Sequence, residues 1–438
     1  MRLALVLIAL QQPGDTAGGR PCRLVIDSIG RLGRQVEVAP GRYNYFAGGG
    51  VWAHCEGTAS TLRTDSLAWY GGAQRTDLTG RVQITDALMT LDATTARYWV
   101  KEERLEAHRN VVAVNRRTGT VLRGPNLDYL RAVAGVRDTA ELFASSRPTI
   151  EYRARPDSSE PYIVVADRVR MRGNDRMWAG GRVTVDRSDL AARADSMMLD
   201  DAAGFGLLVG RPRLEGKGDR PYALTGRRIE LGLDSSEVRV VRALSEGRAT
   251  GEDWRLTADT IHLSLENRQL QQTLAWGDSL RPRAVSSRHT VDADSLALDT
   301  PGEVLTELRA FGRALSTSRR DTTAAAEVDW IAGDTLVARF AQVPDSGAGG
   351  GTRSELHQLT ARGSARSLTH LSERGALPGS PDINYSRGTS IAITLQGDRI
   401  ERVVVAGRAD GVHLERVPPP PAPADTTATP PPSPPPPP

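Results

Sequence analysis

VDADSLALD, residues 291–299, decides the fold because the chain writes it repeatedly. Related phrases are LRTDSLAWY from Leu62, ARADSMMLD from Ala192, LTADTIHLSL from Leu256 and IAGDTLVARF from Ile331. In LTADTIHLSL the apolar positions Leu256 and Ala258 are two apart, but Ile261, Leu263 and Leu265 sit on the opposite parity. The same flip separates Ala293 from Leu296 and Gly333 from Leu336. Successive strand residues face opposite sides of a sheet, so a parity change without a turn requires a bulge or a sharp corner. Asp-Ser or Asp-Thr stands at each flip. A short acceptor side chain can satisfy backbone amides freed where a ladder is interrupted. Asp65, Asp195, Asp259, Asp294 and Asp334 are therefore expected as structural corner residues. A row of calcium-binding or catalytic carboxylates is the alternative, but they come one per unit and lack the acidic companions of a calcium loop.

A second phrase, Gly-Arg followed by Val or Ala, alternates with the first. It appears as TGRVQIT (Gly80), GGRVTV (Gly181), EGRAT (Gly247), FGRALS (Gly312) and AGRADG (Gly407). The stretches around both phrases alternate apolar and polar residues between Gly, Asp, Asn or Pro, the period-two signal of half-buried strands. A longer unit repeats as well: RPTIEY…EPYIVVADRVRM from Arg147 parallels RPRLEG…RPYALTGRRIEL from Arg211. Its offset of about 60 residues is twice a short period of roughly 30, the mark of one supersecondary unit copied and stacked. The expected fold is all-β, a tandem-repeat antiparallel sandwich or β-jelly roll of several modules, with strands bent at a fixed point. A parallel β-helix is the rival, although its coils recur at shorter spacing.

Composition narrows the class. The chain has 438 residues, 39% hydrophobic but only 5% aromatic, with 43 glycines, which suits a turn-rich β protein. No stretch approaches the roughly 20 apolar residues that span a bilayer as a helix. Net charge is +3, and lysine occurs only at Lys101 and Lys217. Arginine suits phosphate, but these arginines do not cluster, so no nucleic-acid partner is expected.

The opening MRLALVLIALQQPGDTAGG has one basic residue, an apolar run from Leu3 to Leu10 and then small and polar residues. It is expected to be a secretory signal over residues 1–19. In an exported chain the two cysteines, Cys22 and Cys55, are expected to form a disulfide. Polar stretches suggest module boundaries: residues 20–132, 133–318 and 319–417, followed by a proline-rich tail, 418–438, able to form neither ladder nor helix.

No catalytic constellation is expected. The histidines are scattered without metal-ligand spacing, and no phosphate-binding glycine loop is present. WGDSL from Trp276 matches the serine block of the GDSL esterases, with Asp410 and His413 as candidate partners. DTIH from Asp259 fits equally well, and the helices of that α/β fold are missing.

The tandem A-D-S/T-hydrophobic and G-x-V strands, the opening NYFAGGGVWAHCEGTASTLRTDSLAWY and the closing LTARGSARSL…ITLQGDRIERVVVAGRADGVHLERV resemble the OstA-like (organic solvent tolerance-like) family. These are periplasmic lipopolysaccharide-transport proteins of the LptA and LptD N-terminal domain type. The resemblance covers most of residues 20–417. It implies a V-shaped, taco-like jelly roll whose apolar groove shields acyl chains, no catalytic residue, no cofactor and no metal. The implied place is the periplasm, in association with the outer membrane. Implied partners are lipopolysaccharide or a similar acylated lipid, and other OstA-like or Lpt proteins joined by edge-strand addition. The chain exceeds twice the length of one bridging module, and no outer-membrane barrel is expected within its strands. Candidate groove residues are alternate apolar positions of the recurring strands: Leu67, Trp69, Val82, Ile84, Val112, Val114, Val169, Met171, Val183, Val185, Met197, Leu199, Ile261, Leu263, Leu296 and Leu298. A structural or adhesive cell-envelope β-solenoid with a packed core and no lipid cargo is the other reading.

Overall fold

The computed structural model describes residues 23–31, 33–56, 59–133, 135–153, 156, 160–252, 254–319, 328–344, 352–371, 382–397 and 399–415. The expected signal segment, Cys22 and the proline-rich tail lie outside the described residues. The described strands form one antiparallel sheet, 30 strands in all. A single 3-10 turn, Pro301–Glu303, interrupts them.

Alternation of side chains sets the local structure. In Leu190–Asp200, Leu190, Ala192, Ala194 and Met197 are buried, and Arg193 and Ser196 are exposed. Long strands such as Arg42–Glu56, Thr61–Tyr70, Arg75–Thr85 and Met89–Trp99 pair with both neighbours on either side of a central irregularity. Elsewhere the strand breaks in two at the same place. Glu141–Ser145 and Thr149–Tyr152 pair with the two halves of Val121–Leu130, separated by Ser146, Arg147 and Pro148. The chain thus zigzags through two ladders. The first starts with Arg34–Ala39 against Arg42–Phe46, and the second with Arg23–Ile29 against Val51–Glu56. They end with Arg399–Ala406 and Asp410–Leu414, both paired with Asp382–Gln396. Pairing continues across the weak stretches near residues 132 and 319.

The line between the ladders obeys a simple rule. Every second pass of the chain carries two consecutive left-handed residues, as at Gly49-Gly50, Gly80-Arg81, Arg109-Asn110, Ser146-Arg147, Gly181-Arg182, Gly210-Arg211, Ser245-Glu246, Gly312-Arg313, Gly363-Ser364 and Gly407-Arg408, except the pass from Gln269 to Ser286, where Gly277 alone has a positive φ. The intervening pass offers one residue opposite that pair. Gly48 faces Ser66 and Val51 faces Thr64, which leaves Gly49 and Gly50 opposite Asp65 alone. This two-against-one count is a β-bulge, which bends the strand and increases its twist. Parity flips only in the single-residue pass, as the sequence phrases predicted: Leu256 and Ala258, then Ile261 and Leu263, are all buried. In the paired pass it is kept, as in Leu78 and Val82.

The inner faces of both ladders join in one core running from Val51 to Ile393. Leu91, Leu127, Ile150, Met177, Leu208, Leu214, Leu224 and Ile229 are less than 2% exposed. Each such side chain removed from water contributes roughly 1.5–3 kcal/mol.

Candidate functional site

The inner faces are where the sequence placed its groove. Leu67, Val82, Val169, Met171, Val183, Val185, Met197, Ile261, Leu263 and Leu296 are buried there. Trp69, Ile84, Leu199 and Leu298 are half-buried against the same core. Val112 and Val114 are a correction. They point to the outer face, Val112 level with Asp92 and Arg123, and Val114 level with Thr90. The inward residues of that strand are Val111, 1% exposed, and Ala113, 4% exposed. Parity is kept across Arg109-Asn110, so Leu105, Ala107, Val111 and Ala113 share one face. No Gly-Arg phrase marks this bend, so alternation counted from Val112 falls one residue out of step with the buried face.

The interior is filled. Between the ladders, Leu190, Leu214 and Tyr222 from the second meet Val238, Val241 and Leu265 from the first around a void of about 10 Å³. The expected open trough is, in this structure, a packed contact between its own walls. Opposite the bend, polar groups in the turns tie the ladders together. Tyr162 donates its hydroxyl to the Ser236 carbonyl at 3.2 Å, and Tyr152 to that of Asn174 at 3.4 Å. Asn115 Nδ2 donates to Asn174 Oδ1 at 2.6 Å. Arg131 lies 3.6 Å from Asp86, and Arg268 3.6 Å from Glu160. Burial pushes the Tyr162 phenol up to about 12, opposed by nearby Arg187. It also raises the Tyr98, Tyr152 and Tyr222 phenols. Sequence reasoning missed these tyrosines, because nothing in a period-two pattern shows which turns meet.

The corner aspartates explain why the two phrases recur together. Asp65 accepts from Arg81 Nε at 2.9 Å and Nη2 at 2.6 Å. Asp294 accepts from Arg313 at 2.7 Å and Arg281 at 3.1 Å, and Asp195 from Arg211 at 3.3 Å. Asp167, missed in the sequence, pairs with Arg182 at 2.7 Å. At Gly80-Arg81, Gly181-Arg182, Gly210-Arg211 and Gly312-Arg313 the arginine thus holds the aspartate of the preceding pass, whereas at Gly407 the facing residue is Thr389. Only Asp259 meets the expectation of a freed amide, accepting from Ser279 N at 2.8 Å. Asp334 stands at Gly363, where a Cβ would meet its carboxylate. Hydrogen bonds from Arg182 and Arg313 hold Asp167 and Asp294 below the usual carboxylate range. Gly247 is a second correction: it pairs normally with Ala258, and the left-handed pair is Ser245-Glu246.

Ser279 belongs to this bend, whereas His413 lies in Asp410–Leu414, with several strands between them. The version of the GDSL match with Asp410 and His413 therefore brings no triad together, and in the version with DTIH Ser279 meets Asp259 through its backbone amide. Among the described residues no cluster of three or more His, Cys, Asp or Glu could hold a metal ion, and no helix is long and apolar enough to cross a membrane. Cys55 is 3% exposed.

Near the C-terminal end the second ladder changes character. Ser316, Ile331, Ser367 and Ser386 stand level on successive strands, and the three serines are buried. The last strands leave Val404, Val412 and Leu414 about half exposed, at 49%, 54% and 57%.

No protein-family model matches the chain, and no curated protein matches it. Among solved structures, one similar chain is LptH of Pseudomonas aeruginosa, described as the LptA-homologous periplasmic component of the lipopolysaccharide transport device. It is 16% identical, with 33% of this chain and 97% of that chain covered and a TM-score of 0.23. The chain is an all-β antiparallel protein with this weak structural likeness.

Proposed function

We propose that the chain is a non-enzymatic, exported lipid-binding protein of the OstA-like kind, a V-shaped jelly roll that shields acyl chains between its two ladders in the periplasm. The observation that carries this reading is the largely aliphatic inner face, continuous through both ladders from Val51 to Ile393. Ten methylenes of an acyl chain cost on the order of 8 kcal/mol to expose to water. A wall that offers equivalent apolar cover along its length removes that barrier.

Loading separates the walls on the side away from the bend. An acyl chain then replaces wall-to-wall contact by wall-to-lipid contact, an exchange of like for like in dispersion and hydration. The half-exposed final strands supply an edge for addition of a related module. A photo-crosslinker at Ile84 or Val183 is expected to label acylated lipid more strongly than one at Thr184 or Asp186. Equal labelling from both faces refutes the reading. The void of only about 10 Å³ favours the second reading, a structural envelope protein with a permanently packed core. That reading predicts no lipid label from either face.

A further inference from the structure

The outer face of the second ladder carries a depression of about 420 Å³ near the N-terminal end. Register places Trp52, Arg63, Gln83 and Asp92 level on four successive strands, pointing outward. Thr85 and Thr90 stand two residues further along the same face. The Trp52 ring is 45% exposed, and the Arg63 guanidinium lies 4.4 Å from its centroid.

Many arginines elsewhere on the outer surface are held in ion pairs. Arg97 pairs with Asp77 at 3.0 Å, Arg104 with Asp128 at 3.1 Å and Arg170 with Glu141 at 3.0 Å. In the depression Asp92 has no ion pair among the described residues. Among the described residues Gln83, Thr85 and Thr90 make no side-chain hydrogen bond, and Arg63 makes no ion pair and lies over the indole. Free donors and acceptors set around an exposed aromatic ring match a ligand with a weakly apolar face and a polar rim. A pyranose ring has that character: its C–H face stacks on an indole while its hydroxyls reach carboxylate, amide and guanidinium groups. Strands are about 4.8 Å apart, so the row from Trp52 to Asp92 spans about 14 Å, the length of roughly three linked pyranoses. One cation and one anion leave the site without net charge, which favours neutral sugars.

We propose that this depression is a binding site for a neutral saccharide chain of about three pyranose units. It faces away from the inner walls and stands independently of the lipid reading.

The test titrates the full chain, with nitrogen-15-labelled tryptophan, against maltotriose, chitotriose and trigalacturonate. The Trp52 indole resonance is assigned by its loss in Trp52→Phe. A neutral trisaccharide is expected to shift that resonance saturably, with a Kd of about 1 mM or tighter. The double variant Gln83→Ala/Asp92→Ala, confined to exposed side chains, is expected to weaken binding at least tenfold with an unchanged melting temperature. Lack of a saturable shift with both neutral sugars overturns the proposal. A shift undiminished in the double variant does so too, as does a response to trigalacturonate alone. The probes carry no acyl chain, so failure here leaves cross-linking at Val183 untouched, and the converse holds. A glycolipid that shifts Trp52 while cross-linking at Val183 assigns the sugar to a lipid headgroup. A free trisaccharide that shifts Trp52 without altering that cross-linking assigns it to a separate glycan.

Discussion

Replacing Gly80 by alanine isolates the reason why Gly-Arg and Asp-Ser occur together. Gly80 has φ +77, and a Cβ there would lie 2.9 Å from the Asp65 Cβ and Cγ and collide with Oδ2. The left-handed backbone alone costs an alanine about 1–2 kcal/mol. Displacing Asp65 from its rotamer adds about 0.5–1.5 kcal/mol. Gly80→Ala is therefore expected to destabilise by about 2–3 kcal/mol. In an Asp65→Gly background the collision disappears and only the backbone cost remains. The double-mutant cycle should show a favourable coupling of about 1 kcal/mol, well outside the 0.3–0.5 kcal/mol scatter of independent sites. The readout is the denaturant midpoint together with hydrogen exchange across residues 61–85, because a long ladder can open locally before it unfolds. Additive costs would refute the claim that the aspartate dictates the glycine.

Further expectations concern the core, the turns and the cysteines. Val111→Ala should destabilise by about 2 kcal/mol by leaving a hole in the core, whereas Val112→Ala, on the outer face, should stay within about 0.5 kcal/mol. Tyr162 holds its proton more tightly when folded, with its phenol pushed up to about 12 against an unfolded value near 10. Its contribution is thus complete below about pH 10 and is lost as pH rises through about 12, and Tyr162→Phe should flatten the fall in unfolding midpoint across that window. Cys55→Ser should cost about 2–4 kcal/mol if Cys22 is its partner, with a change in mobility on non-reducing gels; an unchanged midpoint and mobility would dismiss the bridge.

What the sequence showed of the fold follows from where geometry restricts residue type. A left-handed position beside a carboxylate accepts little but glycine, so bends built from Gly80-Arg81 with Asp65, or Gly312-Arg313 with Asp294, are legible as repeated phrases. Bends that use other residues are not. Arg109-Asn110, where Asn110 Nδ2 donates to Thr94 Oγ1 at 3.3 Å, bears neither phrase, and Val112 and Val114 were assigned to the wrong face as a result. Ser245-Glu246 was hidden by Gly247 beside it. Asp167 was overlooked because an arginine, not Ser or Thr, follows it. The packed interior had no sequence signal at all. Alternation says which side chains leave water, but not whether lipid or the opposite wall receives them.

That ambiguity has a structural counterpart. The two ladders are held together by different means on their two sides. At the bend every pass is continuous chain, and the aspartate–arginine pairs sit on its outside with Arg81, Arg182 and Arg211 side chains 86%, 74% and 90% exposed. Solvent screens such pairs, so they register the strands more than they stabilise them. On the opposite side the ties are a few side-chain contacts between turns, with Tyr152, Tyr162 and Asn115 at their centre. Opening there breaks no ladder hydrogen bond, whereas opening at the bend would break many. If the walls part to admit an acyl chain, they part at the tyrosines. Tyr152→Phe/Tyr162→Phe is then expected to raise lipid labelling from Val183 while leaving the ladder amides protected from exchange. Loss of that protection along with the rise in labelling would mean that lipid enters by unfolding rather than by separation of two intact walls.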